Sequence, residues 1–133
     1  MTNKSSRRKF ISTAVILTAG SSTMAETLSM KTKNNKIAHQ VYFWLNNPED
    51  RQKLIAGVKT LEKIKSVRQI HIGIVAATEK RTVIDISYGV SLLVFFDDLA
   101  GELSYQTDPI HLDFVKNYSS LWNKVVIYDS EMV

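Results

Sequence analysis

Histidine is the one side chain whose unperturbed pKa lies near neutrality. This 133-residue sequence has three: His39, His71 and His111. His111 is the best placed for acid–base work. It follows Asp108-Pro109, a capping residue and an N-terminal proline, and so falls one turn into a helix. His111, Phe114, Val115 and Tyr118 recur at i, i+3, i+4 and i+7, which puts them on one face and turns the imidazole toward the interior. A neutral imidazole held there can take a proton from a carbon acid or polarise a carbonyl. The same pattern also suits a hydrogen-bonded core histidine, as it does for His39, so both readings stand. His71 alternates away from Ile70, Ile72 and Ile74 and is expected on an open sheet face or at a subunit contact.

Other chemistries are poorly supplied. There is no cysteine, which removes disulfides, thiolate metal ligands and cysteine nucleophiles. A site of His39, His111 and a carboxylate lacks the tight spacing of a helical two-histidine motif, so no metal is expected. No Gly-rich phosphate loop is present and no cofactor is expected.

The elements that must position these residues follow from periodicity. Residues 37–45 alternate Ile37, His39, Val41, Phe43 and Leu45 against Ala38, Gln40, Tyr42 and Trp44, the period of a strand. Asn47-Pro48-Glu49-Asp50 starts a helix with an Asn cap, a first-turn proline and two acids, and Leu54, Ile55, Val58, Leu61 and Ile64 give it one apolar side. A second strand is expected over 67–75, a polar connection over 78–85 and a third strand over 86–96. Asp97 or Asp98 caps a short helix through Leu103, Asp108-Pro109 opens a second segment to about Leu121, and residues 122–129 form the last strand. The order is βαββαβ, an α+β ferredoxin-like arrangement: a four-stranded antiparallel sheet with helices on one face. The other face is left uncovered, and a domain of about 95 residues without disulfides gains from closing that face against a second copy.

Several stretches resemble the stress-responsive dimeric α/β barrel (Dabb) family: Ile37-Ala38-His39-Gln40-Val41, Gly73, the run from Tyr88 to Leu99, Tyr105-Gln106-Thr107-Asp108-Pro109-Ile110-His111, and the run from Ser120 to Asp129. The resemblance spans nearly all of the domain. It implies a subunit that pairs through its sheet face and holds a cavity between sheet and helices, but no single reaction. Members include plant stress proteins and a polyketide cyclase that closes a ring without cofactor. In the cyclase, the histidine of the matching Tyr-x5-His motif is the base and its tyrosine positions the substrate carbonyl. Those roles map onto His111 and Tyr105, and His39 matches a further pocket histidine. Val41, Phe43 and Val115 complete the expected ligand-pocket set. Tyr105 also suits a packing residue at a helix end. Two positions depart from the pattern: Val90 stands where the cyclase has another histidine, and Asp108 where many members have histidine before the proline. Asp108 is explained as a helix cap.

Residues 1–25 read as an export signal: a basic start, an apolar run from Phe10 to Ala19 and a small-residue end at Ala25. Arg7-Arg8-Lys9-Phe10-Ile11 resembles the twin-arginine motif, with the general secretory route as the alternative. The apolar run is too short for a permanent membrane span, which needs about 20 residues. Residues 26–36 are a polar linker and 37–131 the domain. The formal charge of +4 resides wholly in the signal, since its four basic residues leave 13 basic against 13 acidic ones. Nucleic-acid binding therefore has no electrostatic footing, and aromatic residues such as Tyr42, Trp44 and Phe95 are assigned to core and interface. The expectation is an exported, periplasmic or extracytoplasmic homodimer. Its cavity would bind a small apolar carbonyl or phenolic compound. The alternatives are an acid–base enzyme using His111 and Tyr105, and a structural stress protein without ligand.

Overall fold

The computed structural model describes residues 34–133. The expected export signal, with Arg7 and Arg8, and the expected linker up to residue 33 lie outside the described residues. Strand β1, Ile37–Leu45, is where the alternation placed it, with every second residue from Ile37 to Phe43 buried. The Asn47 side chain accepts a hydrogen bond from the Glu49 amide at 3.0 Å and starts a 3-10 turn, Pro48–Asp50. The turn runs on into α1, Arg51–Lys59, and a second 3-10 turn, Thr60–Lys63. Leu54, Val58 and Leu61 point at the sheet and are fully buried. Each such side chain contributes about 1.5–3 kcal/mol by leaving water.

Strand β2 is Gln69–Gly73 and β3 is Val90–Phe96. The third strand is therefore shorter than its composition suggested. Residues 86–89 stay outside it because Asp85 accepts from both the amide (2.8 Å) and the hydroxyl of Ser87, a local turn that leaves Ile86 exposed. The second helical connection is two helices. In α2, Leu99–Thr107, the Asp98 carboxylate caps the Gly101 amide at 2.8 Å, so the helix runs past Leu103. In α3, Pro109–Tyr118, the Asp108 carboxylate caps the Ile110 amide at 2.8 Å. A 3-10 turn, Ser119–Leu121, leads into β4, Trp122–Glu131.

The sheet order is β2-β3-β1-β4, antiparallel throughout. This is the expected ferredoxin-like fold. Paired residues share a face, so the register separates two surfaces. One, with Ile37, His39, Val41, Phe43, Val90, Leu92, Val94 and Phe96, is buried under the helices. The other carries Gln40, Tyr42, Trp44, Leu93, Phe95, Val126 and Tyr128, and no described helix covers it. His71 lies on this open face, opposite Leu93. Gly57 lets α3 approach α1: a Cβ there would stand 2.6 Å from the Tyr118 ring. No described helix is long and apolar enough to cross a membrane.

Candidate functional site

Helices α1 to α3 leave the helix-side face of β4 uncovered. Val125 and Ile127 pair with Phe43 and Val41 and so face the helices, yet they are 41% and 49% exposed. Between them and α3 opens a cleft of about 220 Å3. Its floor is His39, Val41, Phe43 and Leu92, and its walls include Tyr105, Gln106, His111, Phe114, Val115, Trp122, Val125 and Ile127. All six residues singled out in the sequence (His111, Tyr105, His39, Val41, Phe43 and Val115) line this one cleft. Its size falls just below the roughly 300–1,000 Å3 of typical small-molecule sites, so it suits a compact ligand.

Tyr105 is the centre of the polar end. It is 1% exposed, with its ring edge-on to His39 at 5.6 Å and to Phe96 at 5.1 Å, and tilted against His111 at 4.6 Å. Burial pushes its hydroxyl far above the ordinary tyrosine range, with the Glu102 carboxylate adding to the effect, so Tyr105 stays a neutral donor. His111 is half-buried. Its Nδ1 lies 3.2 Å from the Gln106 carbonyl. A carbonyl only accepts, so Nδ1 carries the proton and Nε2 is the basic nitrogen. Burial lowers the pKa of His111, and the Gln106 carbonyl partly offsets this. The imidazole is therefore neutral at pH 7, the form a general base requires.

His39 is buried to 3% exposure, and its Nδ1 meets the Asp129 carboxylate at 2.6 Å, while the Asp129 side chain is 54% exposed. A carboxylate that fixes one ring nitrogen holds both the tautomer and the orientation of the other. Sequence reasoning did not find Asp129 as a partner. The β1–β4 register makes His39 and Asp129 direct cross-strand neighbours, which no spacing along the chain reveals. Glu102 and Gln106 were missed as well. Gln106 donates to the Glu102 carboxylate at 2.7 Å, an i, i+4 pair that was legible once the helix was known to continue past Leu103.

Trp122 reaches the cleft through an irregularity. The β1–β4 register shifts between Trp44 and Leu45, so Leu45 faces Trp122 and Asn123 is the extra residue. Simple alternation would have put Trp122 on the open face with Lys124 and Val126. Instead its ring packs on Phe43 at 5.0 Å and stacks on Phe114 at 5.8 Å. Asp108 acts as a cap, and Val90 is fully buried core. A larger recess, about 330 Å3, lies on the open sheet face among Tyr42, Trp44, Asp85, Tyr88, Val126 and Tyr128. It is lined by one carboxylate and three tyrosines but no histidine, and both inward-facing histidines sit in the smaller cleft.

Fold and cleft together define a ferredoxin-like α+β domain with an acid–base-equipped pocket under its helices and one sheet face open. Residues 37–132 match the family described as Stress responsive A/B Barrel Domain (Dabb), and the chain belongs to that family. It is similar in structure to a Dabb family protein with a ferredoxin-like fold from Mesorhizobium loti, at 24% identity and TM-score 0.58, covering 73% of this chain and 96% of that one. A dimeric ferredoxin-like protein of unknown function from Bacteroides fragilis aligns at 20% identity and TM-score 0.58, over 76% and 100%. A hydroxynitrile lyase from Passiflora edulis aligns at 18% identity and TM-score 0.61, over 75% and 95%. These likenesses carry the fold. No curated protein matches the sequence.

Proposed function

We propose that the chain is an exported homodimer whose cleft binds a small, largely apolar carbonyl or phenolic compound. The observation that carries this reading is the cleft itself, with apolar and aromatic walls from Val41, Phe43, Phe114, Val115, Trp122 and Ile127 around a polar end of His39, Tyr105 and His111. Such a lining binds an apolar body and orients one oxygen, since Tyr105 donates and His111 Nε2 accepts. The test is gentle purification of the mature protein from its native compartment, followed by mass spectrometry of small molecules released on denaturation. An apolar oxygen-bearing compound at near-stoichiometric amount supports the proposal. The outcome against it is a protein that releases nothing and whose cleft resonances stay unmoved by a panel of phenols and ketones.

Pairing through the open sheet face accompanies this reading. The supports are the uncovered Tyr42, Trp44, Leu93 and Tyr128 and the dimeric state given for the Bacteroides fragilis relative. Sedimentation of the mature chain as a monomer at micromolar concentration would contradict it. Export rests on the basic, apolar and small-residue order of residues 1–25. Replacing Arg7 and Arg8 by lysine should leave uncleaved precursor in the cytoplasm if the twin-arginine route is used.

A second reading, turnover of the bound compound, is favoured by the lowered pKa of His111 beside the high-pKa Tyr105 hydroxyl. Two titratable groups pushed apart by one environment are the arrangement of a base and an acid. The relative from Passiflora edulis is a lyase, which shows that this fold can host a reaction.

A further inference from the structure

At the polar end of the cleft stands a second group of side chains, which shares His39 with the ligand reading and adds two carboxylates that the ligand reading does not use. His39 from β1, Glu102 from α2 and Asp129 from β4 each bring one ligating atom to the same spot, and the three atoms lie within 4.8 Å of one another. We propose that this cluster binds a first-row divalent cation.

Three features of the cluster support this. The donor set is one imidazole nitrogen and two carboxylate oxygens, the mixture that zinc, manganese and ferrous ions accept. The charge is unbalanced: two carboxylates face a single imidazole, and among the described residues their hydrogen bonds come from His39 and the Gln106 amide. The supports are already built. His39 is held among Phe96 and Tyr105, and Gln106 donates to Glu102 at 2.7 Å, the outer hydrogen bond that orients a metal-ligating carboxylate. Metal–ligand bonds of about 2.0–2.2 Å put neighbouring ligands of a tetrahedral ion roughly 3.4 Å apart. Seating the ion therefore opens the His39–Asp129 pair, which stands at 2.6 Å, by under about 1 Å. Asp129, half-exposed at the sheet edge, has the freedom to make that movement. The hydrogen bond between His39 Nδ1 and the Asp129 carboxylate marks the place the ion takes. Three protein ligands leave coordination positions for water. The sequence concealed the cluster because its members come from three elements and share no local spacing.

The test uses the full chain stripped with chelator and then titrated with Mn(II) and with Zn(II) by calorimetry. One ion per chain is expected. Glu102→Gln and Asp129→Asn should each weaken binding at least tenfold, and His71→Gln, on the open face, should leave it unchanged. Mn(II) should broaden the His39 imidazole resonances before those of His71. Circular dichroism checks that each variant folds; if Asp129→Asn does not, Glu102→Gln on the surface of α2 decides. Absence of saturable binding, affinity unchanged in Glu102→Gln, or broadening centred on His71 would each overturn the site. Metal titration needs no organic ligand, so this proposal and the cleft reading fail separately.

Discussion

Replacing His111 by alanine separates a chemical role from a structural one, because the two predict different losses of stability. The ring gives up one hydrogen bond, Nδ1 to the Gln106 carbonyl at 3.2 Å. That is worth about 0.5–1.5 kcal/mol. It also gives up its contact with Tyr105 at 4.6 Å between centroids, about 0.5–1.5 kcal/mol for a well-placed pair. Alanine returns a few tenths of a kcal/mol, roughly 0.5, in helix propensity. The cleft is open and polar at this end, so water fills the vacated volume and no dry cavity forms. The net loss is about 0.5–2.5 kcal/mol. For a domain of this size that lowers Tm by roughly 2–20 °C. Chemical and thermal unfolding of the full chain, followed by far-ultraviolet circular dichroism, measures it. Truncating Tyr105, which is 1% exposed, should cost much more, about 3–5 kcal/mol. If His111→Ala loses as much as Tyr105→Ala, or fails to fold, His111 is a core residue and its place in the cleft carries no chemistry. If the loss is small and ligand affinity or turnover disappears, the polar end is doing the binding.

Stability should decline as pH falls through the ordinary histidine range toward the depressed value of folded His111. The unfolded chain takes up that proton first, so the contribution is complete above about pH 6.5 and lost below the folded pKa. Urea midpoints at pH 7.5 and 5.5 read this, and His111→Gln should flatten the difference. Gly57→Ala should destabilise despite the better helix former, because the roughly 1 kcal/mol gained is outweighed by about 1–3 kcal/mol of overpacking against Tyr118; a raised urea midpoint would refute the close approach. Leu93→Asp, at the middle of the open face opposite Gln40 and His71, should convert a dimer to a folded monomer in sedimentation while leaving the circular dichroism spectrum intact.

Most of the fold was legible because its elements announce themselves locally. The alternation over residues 37–45 gave β1 to the residue, and each cap-and-proline pair gave a helix start, Asn47-Pro48 and Asp108-Pro109 alike. The strand preceding Phe96 was overextended for a local reason too. Ile86 and Tyr88 have strand-forming side chains, but the Asp85–Ser87 turn takes the backbone out of the ladder, and hydrogen bonding outweighs propensity there. The candidate site divides differently. His111 and Tyr105 could be singled out along the chain, whereas Asp129, Glu102 and Trp122 are brought in by register, by helix length and by a bulge. Register and bulge are properties of pairing between distant segments, for which one sequence carries no signal, whereas the Glu102–Gln106 pair follows locally once the helix runs past Leu103.

The contact between Tyr105 and His111 shows how one local choice produces the polar end of the cleft. In an uninterrupted helix each residue advances about 100°, so positions 105 and 111 would lie about 120° apart, and only one could face the sheet. Asp108 prevents this. Its backbone is extended, at φ −64° and ψ 135°, as the residue before a proline prefers. It ends α2 and, through its carboxylate, begins α3 in a new direction. The break turns both rings inward and brings their centroids to 4.6 Å, above His39 of β1. The same break leaves α3 short of β4, so that Val125 and Ile127 become a wall of the cleft rather than part of the closed core. One capping residue thus both gathers the titratable groups and keeps open the space in which they can act.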